Sequence, residues 1–259
     1  MTSVVYGVVL EWMTIKQLSA YSYGHFLIMF DGAPLAVGLG WAVIIYSGME
    51  FVKQLKMPAV ARPFLVGFMA LNIDVAMDAI AIRLGFWTWA MPMDMQWFGV
   101  PWGNFWAWYI VVTSFSGLLY WMQTAGWRSA ASPLKRWGYA PLAFVGSLTI
   151  LAATNSLFSF EIGRDNISGL LSMGFLLQVG ALIVIIYRPS VQSGTKLDPV
   201  AFAVPLVFHI YFNIIGFIKG YYAAIPILGY IGMLMLLAGI FAHLYPVWKS
   251  RRLTPTGEP

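Results

Sequence analysis

Long runs of apolar residues follow one another along most of the chain. Seven of them are long enough to cross a bilayer, since a spanning helix takes about 20 residues. Short segments with charged residues or proline separate the runs. The pattern predicts an all-α fold, a polytopic membrane bundle of about seven transmembrane helices. The predicted spans are 25–50, 59–82, 104–125, 138–158, 168–187, 199–218 and 223–248.

The two ends of the chain depart from this pattern. Residues 1–24 carry Glu11 and Lys16 among apolar residues, so we expect an N-terminal interfacial or re-entrant helix. An eighth spanning helix is the alternative. Residues 249–259 are polar and contain proline, which predicts a disordered cytoplasmic tail. Residues 25–248 between them are predicted to form one transmembrane domain.

Charged residues are few, and they are distributed unevenly between the predicted loops. The chain is 60% hydrophobic and 10% charged. Eleven basic residues fall on one side of the predicted bundle and four on the other. Because cytoplasmic loops carry such an excess, we predict a cytoplasmic-membrane protein with a cytoplasmic C-terminus. The eleven are Lys53, Lys56, Arg62, Arg128, Lys135, Arg136, Arg188, Lys196, Lys249, Arg251 and Arg252; the four are Lys16, Arg83, Arg164 and Lys219.

Composition excludes several kinds of chemistry. The chain has no cysteine, which excludes disulfides, thiolate metal sites and iron–sulfur clusters. Its three histidines are too few for a membrane di-iron oxygenase, and we predict no metal site. No lysine is predicted at mid-membrane, which argues against a retinal protein. The basic excess is explained by topology, so we predict no nucleic-acid partner.

Two carboxylates are the strongest chemical feature. A carboxylate at the centre of a spanning helix costs about 2.5–3.5 kcal/mol. Asp74 and Asp78 lie four residues apart in the second span, which places them on one helical face. In a low dielectric, one of two adjacent carboxyl groups keeps its proton beside an ionised partner, an arrangement suited to acid–base catalysis. A structural role, in which the pair binds Arg83 and backbone donors, is the alternative. Glu50 is interpreted as a helix-end ion pair with Lys53.

Other polar residues are predicted at the same depth in the outer half of the bundle. Asp31 lies near the start of the first span, and Glu11 precedes that span. Asn104 opens the third span, and Asn213 lies in the outer half of the sixth. The pattern therefore predicts one polar cluster near the outer surface. His209, also in the sixth span, is interpreted as a hydrogen-bonding group of the core or of a cavity.

Tryptophan is concentrated around the outer ends of the second and third spans. An interfacial aromatic belt explains several of these residues. A cavity lined by aromatic rings, which holds an isoprenoid chain and stabilises a carbocation, is the other interpretation. The residues concerned are Trp87, Trp89, Trp97, Trp102, Trp106 and Trp108. On the second interpretation, Trp87, Trp89 and Trp108 are candidates for substrate binding.

Three ordered segments carry a resemblance to a known family. The first runs from Glu11 through a tyrosine-rich stretch with Tyr23 to Pro34, Leu35, Val37 and Trp41. The second contains Asp74, Asp78, Gly85, Trp87 and Trp89, and the third Phe98, Gly99, Pro101, Asn104, Phe105 and Trp108. Together they resemble the integral-membrane carotenoid biosynthesis proteins, which include bisanhydrobacterioruberin hydratase and the γ-carotene 1′-hydratase.

The resemblance implies proton-initiated chemistry on a hydrophobic carotenoid or other isoprenoid substrate in the bilayer. Such a hydratase protonates a terminal alkene and captures the tertiary cation with water, without a cofactor. Asp74 or Asp78 is then the acid, the partner carboxylate is the base, and Asn104 or Tyr23 positions the water. A membrane cyclase that uses the same cation is the alternative. A proton-coupled transporter, with the carboxylates as a relay, is a second one.

Overall fold

The computed structural model describes residues 2–19, 21–90, 96–157 and 165–253. These residues form nine α-helices, one short 3-10 helix at Trp127–Ser129, and six short strands. The helices are α1 (Thr2–Leu18), α2 (Leu35–Lys53), α3 (Arg62–Arg83), α4 (Trp102–Thr124), α5 (Pro133–Leu157), α6 (Asn166–Tyr187), α7 (Pro199–Ile218), α8 (Tyr221–Ala224) and α9 (Pro226–Leu253). The strands are β1 (Tyr21–Tyr23), β2 (Met29–Phe30), β3 (Ala33–Pro34), β4 (Leu55–Lys56), β5 (Trp87–Trp89) and β6 (Ser190–Val191).

Seven of the described helices are long and apolar enough to cross a membrane, namely α2 to α7 and α9. They correspond one to one with the predicted spans and confirm the all-α polytopic class. The start predicted for the first span is wrong, because α2 begins at Leu35 and the preceding residues form short strands. At the other end, α9 continues past residue 248 to Leu253. Residues 254–259 of the predicted tail, and Arg164, lie outside the described residues.

Helix α1 packs along α2 and α5. Its contact with α2 depends on two glycines, because a Cβ atom on Gly7 would lie 2.8 Å from the Cα atom of Gly38. Tyr6 and Ser147 share a hydrogen bond of 2.6 Å between their hydroxyl oxygens, which joins α1 to α5. Helix α1 is not among the seven described helices that are long and apolar enough to cross a membrane. Its assignment as an interfacial segment stays a prediction.

Helix α3 is the centre of the bundle. In its most apolar window 72% of residues are buried, compared with 17% for the peripheral α6. It packs against α2, α4, α6, α7 and α9. Gly67 allows the close approach of α4, since a Cβ atom there would lie 2.7 Å from the Tyr109 ring. Polar residues on α3 are therefore held away from lipid.

The short strands close the two ends of the bundle in antiparallel pairs. Strand β4 pairs with β6 at the end where α2 and α6 finish. The backbone N–H of Thr195 donates a 2.8 Å hydrogen bond to Ser250 Oγ, so the last turn of α9 lies there too. Lys56 and Arg252 belong to this end, which we call the basic end. Strand β1 pairs with β5 at the opposite end, which we call the site end.

Strands β2 and β3 form a hairpin where the sequence pattern predicted the first span. Phe30 pairs with Ala33, and the two residues between them have positive φ angles, +45° at Asp31 and +93° at Gly32. An Asp-Gly pair in a two-residue loop is typical of a type I′ turn. Asp31 is therefore in a turn outside α2, and the prediction that it begins a span is wrong.

Candidate active site

The β1–β5 pair directs four aromatic side chains to one face. Its register places Tyr21 opposite Trp89 and Tyr23 opposite Trp87. Because side chains alternate along a strand, these four share a face, and all of them line a cavity. The chain turns from α3 into β5 at Gly85, whose φ of +74° suits a residue without a Cβ atom.

Glu11 is held by three side-chain donors on the inner side of this pair. Tyr21 and Tyr23 each donate a 2.7 Å hydrogen bond from the hydroxyl group to Oε2. Trp41 donates a 2.6 Å bond from Nε1 to Oε1. Glu11 is only 6% exposed. Three hydrogen bonds fix the orientation of its carboxyl group and use both oxygens.

Burial affects how these groups titrate. It raises the pKa of the Glu11 carboxyl, and the three donors oppose that increase. The pKa values of Tyr21 and Tyr23 lie well above that of an ordinary tyrosine. Burial is the larger cause, and the charge of Glu11 is the next. Both phenols therefore remain neutral donors, and they support a negative charge on Glu11.

The aspartate pair lies on α3 and faces the start of α4. Asp74 is fully buried and Asp78 is 2% exposed. Asn104 bridges them, because its Nδ2 donates to Asp78 Oδ2 at 2.6 Å and to Asp74 Oδ2 at 3.1 Å. The remaining oxygen of Asp74, Oδ1, accepts no hydrogen bond from a described donor. One amide thus holds both carboxyl groups in place.

Arg83 does not neutralise the pair. Its Nη1 donates to the backbone carbonyl oxygens of Ala79 at 2.6 Å and Phe98 at 2.9 Å. The structural alternative in which Asp74 and Asp78 bind Arg83 is therefore wrong. In the part of the chain that the structure describes, neither aspartate has a basic partner. A buried carboxyl pair without a cation favours the state in which one member keeps a proton.

The carboxylates that do form salt bridges lie away from this pair. Glu50 contacts Lys53, which confirms the predicted ion pair at the end of α2. Asp31 lies 3.0 Å from Lys16 Nζ, and it also accepts a 2.8 Å hydrogen bond from Trp12 Nε1. The hydrogen bond from Trp12 is the larger cause and that from Lys16 the next; together they lower the pKa of Asp31.

A cavity of about 350 Å³ lies between Glu11 and Asp78, and both line its wall. The exposure of the lining residue Ala36 indicates that the cavity opens beside α2. Gly40, one turn further along α2, also lines the cavity, and a Cβ atom there would contact nothing within 4 Å. Ten of the 26 lining residues are aromatic: Tyr21, Tyr23, Phe26, Trp41, Phe86, Trp87, Trp89, Trp108, Phe208 and Phe212.

Most of the predicted site residues meet at this cavity. The residues that line it are Glu11, Tyr23, Asp78, Trp87, Trp89, Asn104 and Trp108. Asp74 is connected to it through Asn104. Trp87, Trp89 and Trp108 line the cavity, which fits the interpretation as a substrate cavity. The other three, Trp97, Trp102 and Trp106, do not line it.

Three predicted site residues are placed elsewhere. Asp31 is in the exposed hairpin turn. His209 Nε2 lies 2.9 Å from Asn72 Oδ1, a hydrogen bond between α7 and α3. Asn213 Nδ2 donates to the carbonyl oxygen of His209, and Tyr222 donates to Asn213 Oδ1 at 3.0 Å. In the structure, His209 and Asn213 therefore hold helices together and do not line the cavity.

Sequence reasoning missed four residues that bring hydrogen-bonding groups to the site, as well as four phenylalanines of its lining, Phe26, Phe86, Phe208 and Phe212. Tyr21 and Trp41 bind Glu11 directly, while Thr14 and Asn155 line the cavity. The Tyr-x-Tyr spacing was an available signal for Tyr21, because residues two apart share a face in a strand. Asn155 lies in an apolar helix far along the chain, and nothing local marks it.

Comparison with known protein families identifies the chain. A family model described as "carotenoid biosynthesis protein" matches residues 1–176. The chain belongs to this family. The matched region contains Glu11, the aspartate pair and Asn155, and so includes every carboxyl group of the cavity. The chain is thus an integral membrane protein with a role in carotenoid biosynthesis. No curated protein and no solved structure shows significant similarity to it.

Proposed function

We propose that this carotenoid biosynthesis protein is a hydratase. It protonates the terminal trisubstituted alkene of an acyclic carotenoid and adds water to the resulting tertiary cation. The observation that carries the proposal is one apolar cavity with carboxyl groups on two walls, Asp78 held by Asn104 and Glu11 held by three donors. Addition of water needs an acid on the alkene and a base on the water.

The proposed reaction begins at Asp78. Its carboxyl proton forms a new C–H bond at the less substituted alkene carbon, and the π bond breaks to leave a tertiary cation. The amide of Asn104 stabilises the carboxylate that remains, because its Nδ2 donates to Asp78 Oδ2. Water then forms the C–O bond, and Glu11 takes the proton that it releases. Glu11 then releases its proton to solvent and Asp78 regains one, so the sum is alkene plus water to tertiary alcohol, without oxidation or reduction.

The aromatic lining supports the cationic intermediate. A cation over an aromatic face is attracted by the ring quadrupole. Trp41 and Trp108 have ring centroids 4.4 Å apart, and both line the cavity beside Glu11. The anionic base and these rings together favour a positive charge in the space between Glu11 and Asp78.

The cavity size indicates how a carotenoid binds. At about 350 Å³ it is near the lower end of the about 300–1,000 Å³ typical of small-molecule sites. One end group of the substrate fits such a volume, and the rest of the long polyene has to remain outside. The opening beside Ala36 and Gly40 on α2 gives the polyene a path toward the bilayer.

Expression in cells that make lycopene tests the proposal. We expect extracts to contain a product heavier than lycopene by one water molecule for each modified end, measured by mass spectrometry. A product of unchanged mass with altered retention and absorption would identify a cyclase instead. Absence of any new product at normal protein level would contradict both reactions and favour proton transport.

The orientation of the bundle is part of the proposal. The charge excess places the basic end in the cytoplasm and the site end outside. Because the chain has no cysteine, single cysteines can be introduced without background. A membrane-impermeant maleimide added to whole cells should label Leu27→Cys, in the fully exposed loop before the hairpin, and not Lys196→Cys at the basic end. The reverse pattern would contradict this orientation.

A further inference from the structure

Asn155 is a polar residue of the cavity that has no role in the steps above. Asn155, near the end of α5, is 3% exposed and lines the cavity. Its side-chain amide makes no hydrogen bond to any residue that the structure describes. A primary amide can donate two hydrogen bonds and accept two. Asn155 therefore lines the cavity with an amide whose hydrogen-bonding capacity no described residue uses.

The packing of α1 and α5 places Asn155 on the Glu11 side of the cavity. Gln17 of α1 donates a 2.7 Å hydrogen bond to Oγ of Ser156, the residue next to Asn155. Glu11 lies within two turns of Gln17 on the same helix. Asn155 and Glu11 line the same cavity from these two neighbouring helices. The amide thus belongs to the wall where the proposed base lies, opposite the aspartate pair.

A buried amide that no described residue binds calls for a ligand. Burying a polar group without a hydrogen bond is destabilising, and an apolar residue of similar size avoids that cost. The other buried amides near the cavity are used, since Asn104 bridges the aspartates. A polar molecule in the cavity would supply the missing partner of Asn155. The hydrocarbon end of a carotenoid offers no such group, whereas water does.

We propose that Asn155 is a positioning residue that holds the water molecule added in the reaction. This inference rests on the proposed hydratase function. The amide oxygen accepts a hydrogen bond from one O–H of the water, and the other O–H points to Glu11. A lone pair of the water oxygen is then free to form the C–O bond to the cation. As that bond forms, Glu11 receives a proton from the water, and no other reactant is needed.

The test compares products from Asn155→Leu and wild-type protein in lycopene-producing cells. Without the bound water, the cation loses a proton or is attacked by an internal alkene, and the product contains no added water. We expect the ratio of alcohol to water-free products to fall about tenfold, the factor expected from one ordinary hydrogen bond. Total lycopene consumption should change less, because Asp78 and Asn104 are intact. This ratio is a readout that a purely structural role would not change.

Two further variants keep the test decisive. Thr154→Val is the matched control, since Thr154 is partly exposed on α5, does not line the cavity, and donates its hydroxyl only within that helix. Its product ratio should equal that of wild type. If Asn155→Leu does not accumulate, Asn155→Ala serves instead.

An unchanged product ratio in the Asn155 variant, whatever its total activity, would overturn the role of Asn155 alone. Absence of alcohol from the wild type would overturn the hydratase proposal and this inference with it.

Discussion

Replacing Asp78 with asparagine is expected to lower lycopene conversion by about 10²–10⁴-fold, the usual contribution of a general acid. Asp78 lines the cavity, whereas Asp74 does not. Asparagine has nearly the same volume, and its carbonyl oxygen can still accept the hydrogen bond from Asn104, so the fold should be retained. The variant lacks only the acidic proton. Turnover by membranes supplied with lycopene measures the effect.

Isotope exchange shows which step the Asp78→Asn variant has lost. In heavy water, reversible protonation by the wild type should place deuterium at the terminal alkene of unreacted lycopene, and Asp78→Asn should abolish this exchange. Glu50→Gln is the matched control, because Glu50 is a carboxylate on a spanning helix that pairs with Lys53 away from the cavity. Wild-type exchange in Asp78→Asn would show that another group is the acid.

The second large effect is expected for Glu11→Gln. We expect alcohol formation to fall by about 10²-fold or more, since the base and its negative charge are both removed. Deuterium exchange into lycopene should persist, because Asp78 still donates its proton. The two variants therefore differ in which half of the reaction survives. Mass spectrometry of recovered lycopene and of the alcohol separates these outcomes.

Glu11→Gln should also lower stability. The glutamine amide nitrogen faces donors that need an acceptor, and each unsatisfied buried group costs about 1–3 kcal/mol. A lower thermal unfolding temperature in detergent is the expected result. Tyr23→Phe controls for this, because it removes one hydrogen bond and leaves the carboxylate held by Tyr21 and Trp41. If Tyr23→Phe lost as much alcohol formation as Glu11→Gln, the proposed role of Glu11 as the base would be contradicted.

The sequence predicted those parts of the structure that depend on local periodicity. Seven apolar runs matched seven helices, because the length of a spanning helix is set by the bilayer. The spacing of Asp74 and Asp78 placed both on one face of α3, because residues four apart in a helix lie above one another. The predicted topology brought Glu11 and Asn104 to the same depth, and both meet Asp78 at the cavity.

The sequence did not predict features that depend on specific turns or on distant contacts. The apolar run before Asp31 was interpreted as helix, although the Asp-Gly pair that follows it is a hairpin signal. The sequence places Asn213 in the outer half of the sixth span without showing which way its side chain points, and in the structure Asn213, like His209, bonds to another helix and does not line the cavity. Helix depth can be counted along the chain, whereas the direction of a side chain depends on which helices pack around it. Asn155 was missed for that reason.

Incubation of the purified protein with lycopene in ¹⁸O-labelled water tests whether the cavity hydrates the alkene. We expect a tertiary alcohol whose oxygen comes from the labelled water, formed by the wild type and lost in Asp78→Asn. Mass spectrometry of the product measures both. An alcohol without the label, or a labelled alcohol formed equally well by Asp78→Asn, would contradict proton-initiated hydration at this cavity.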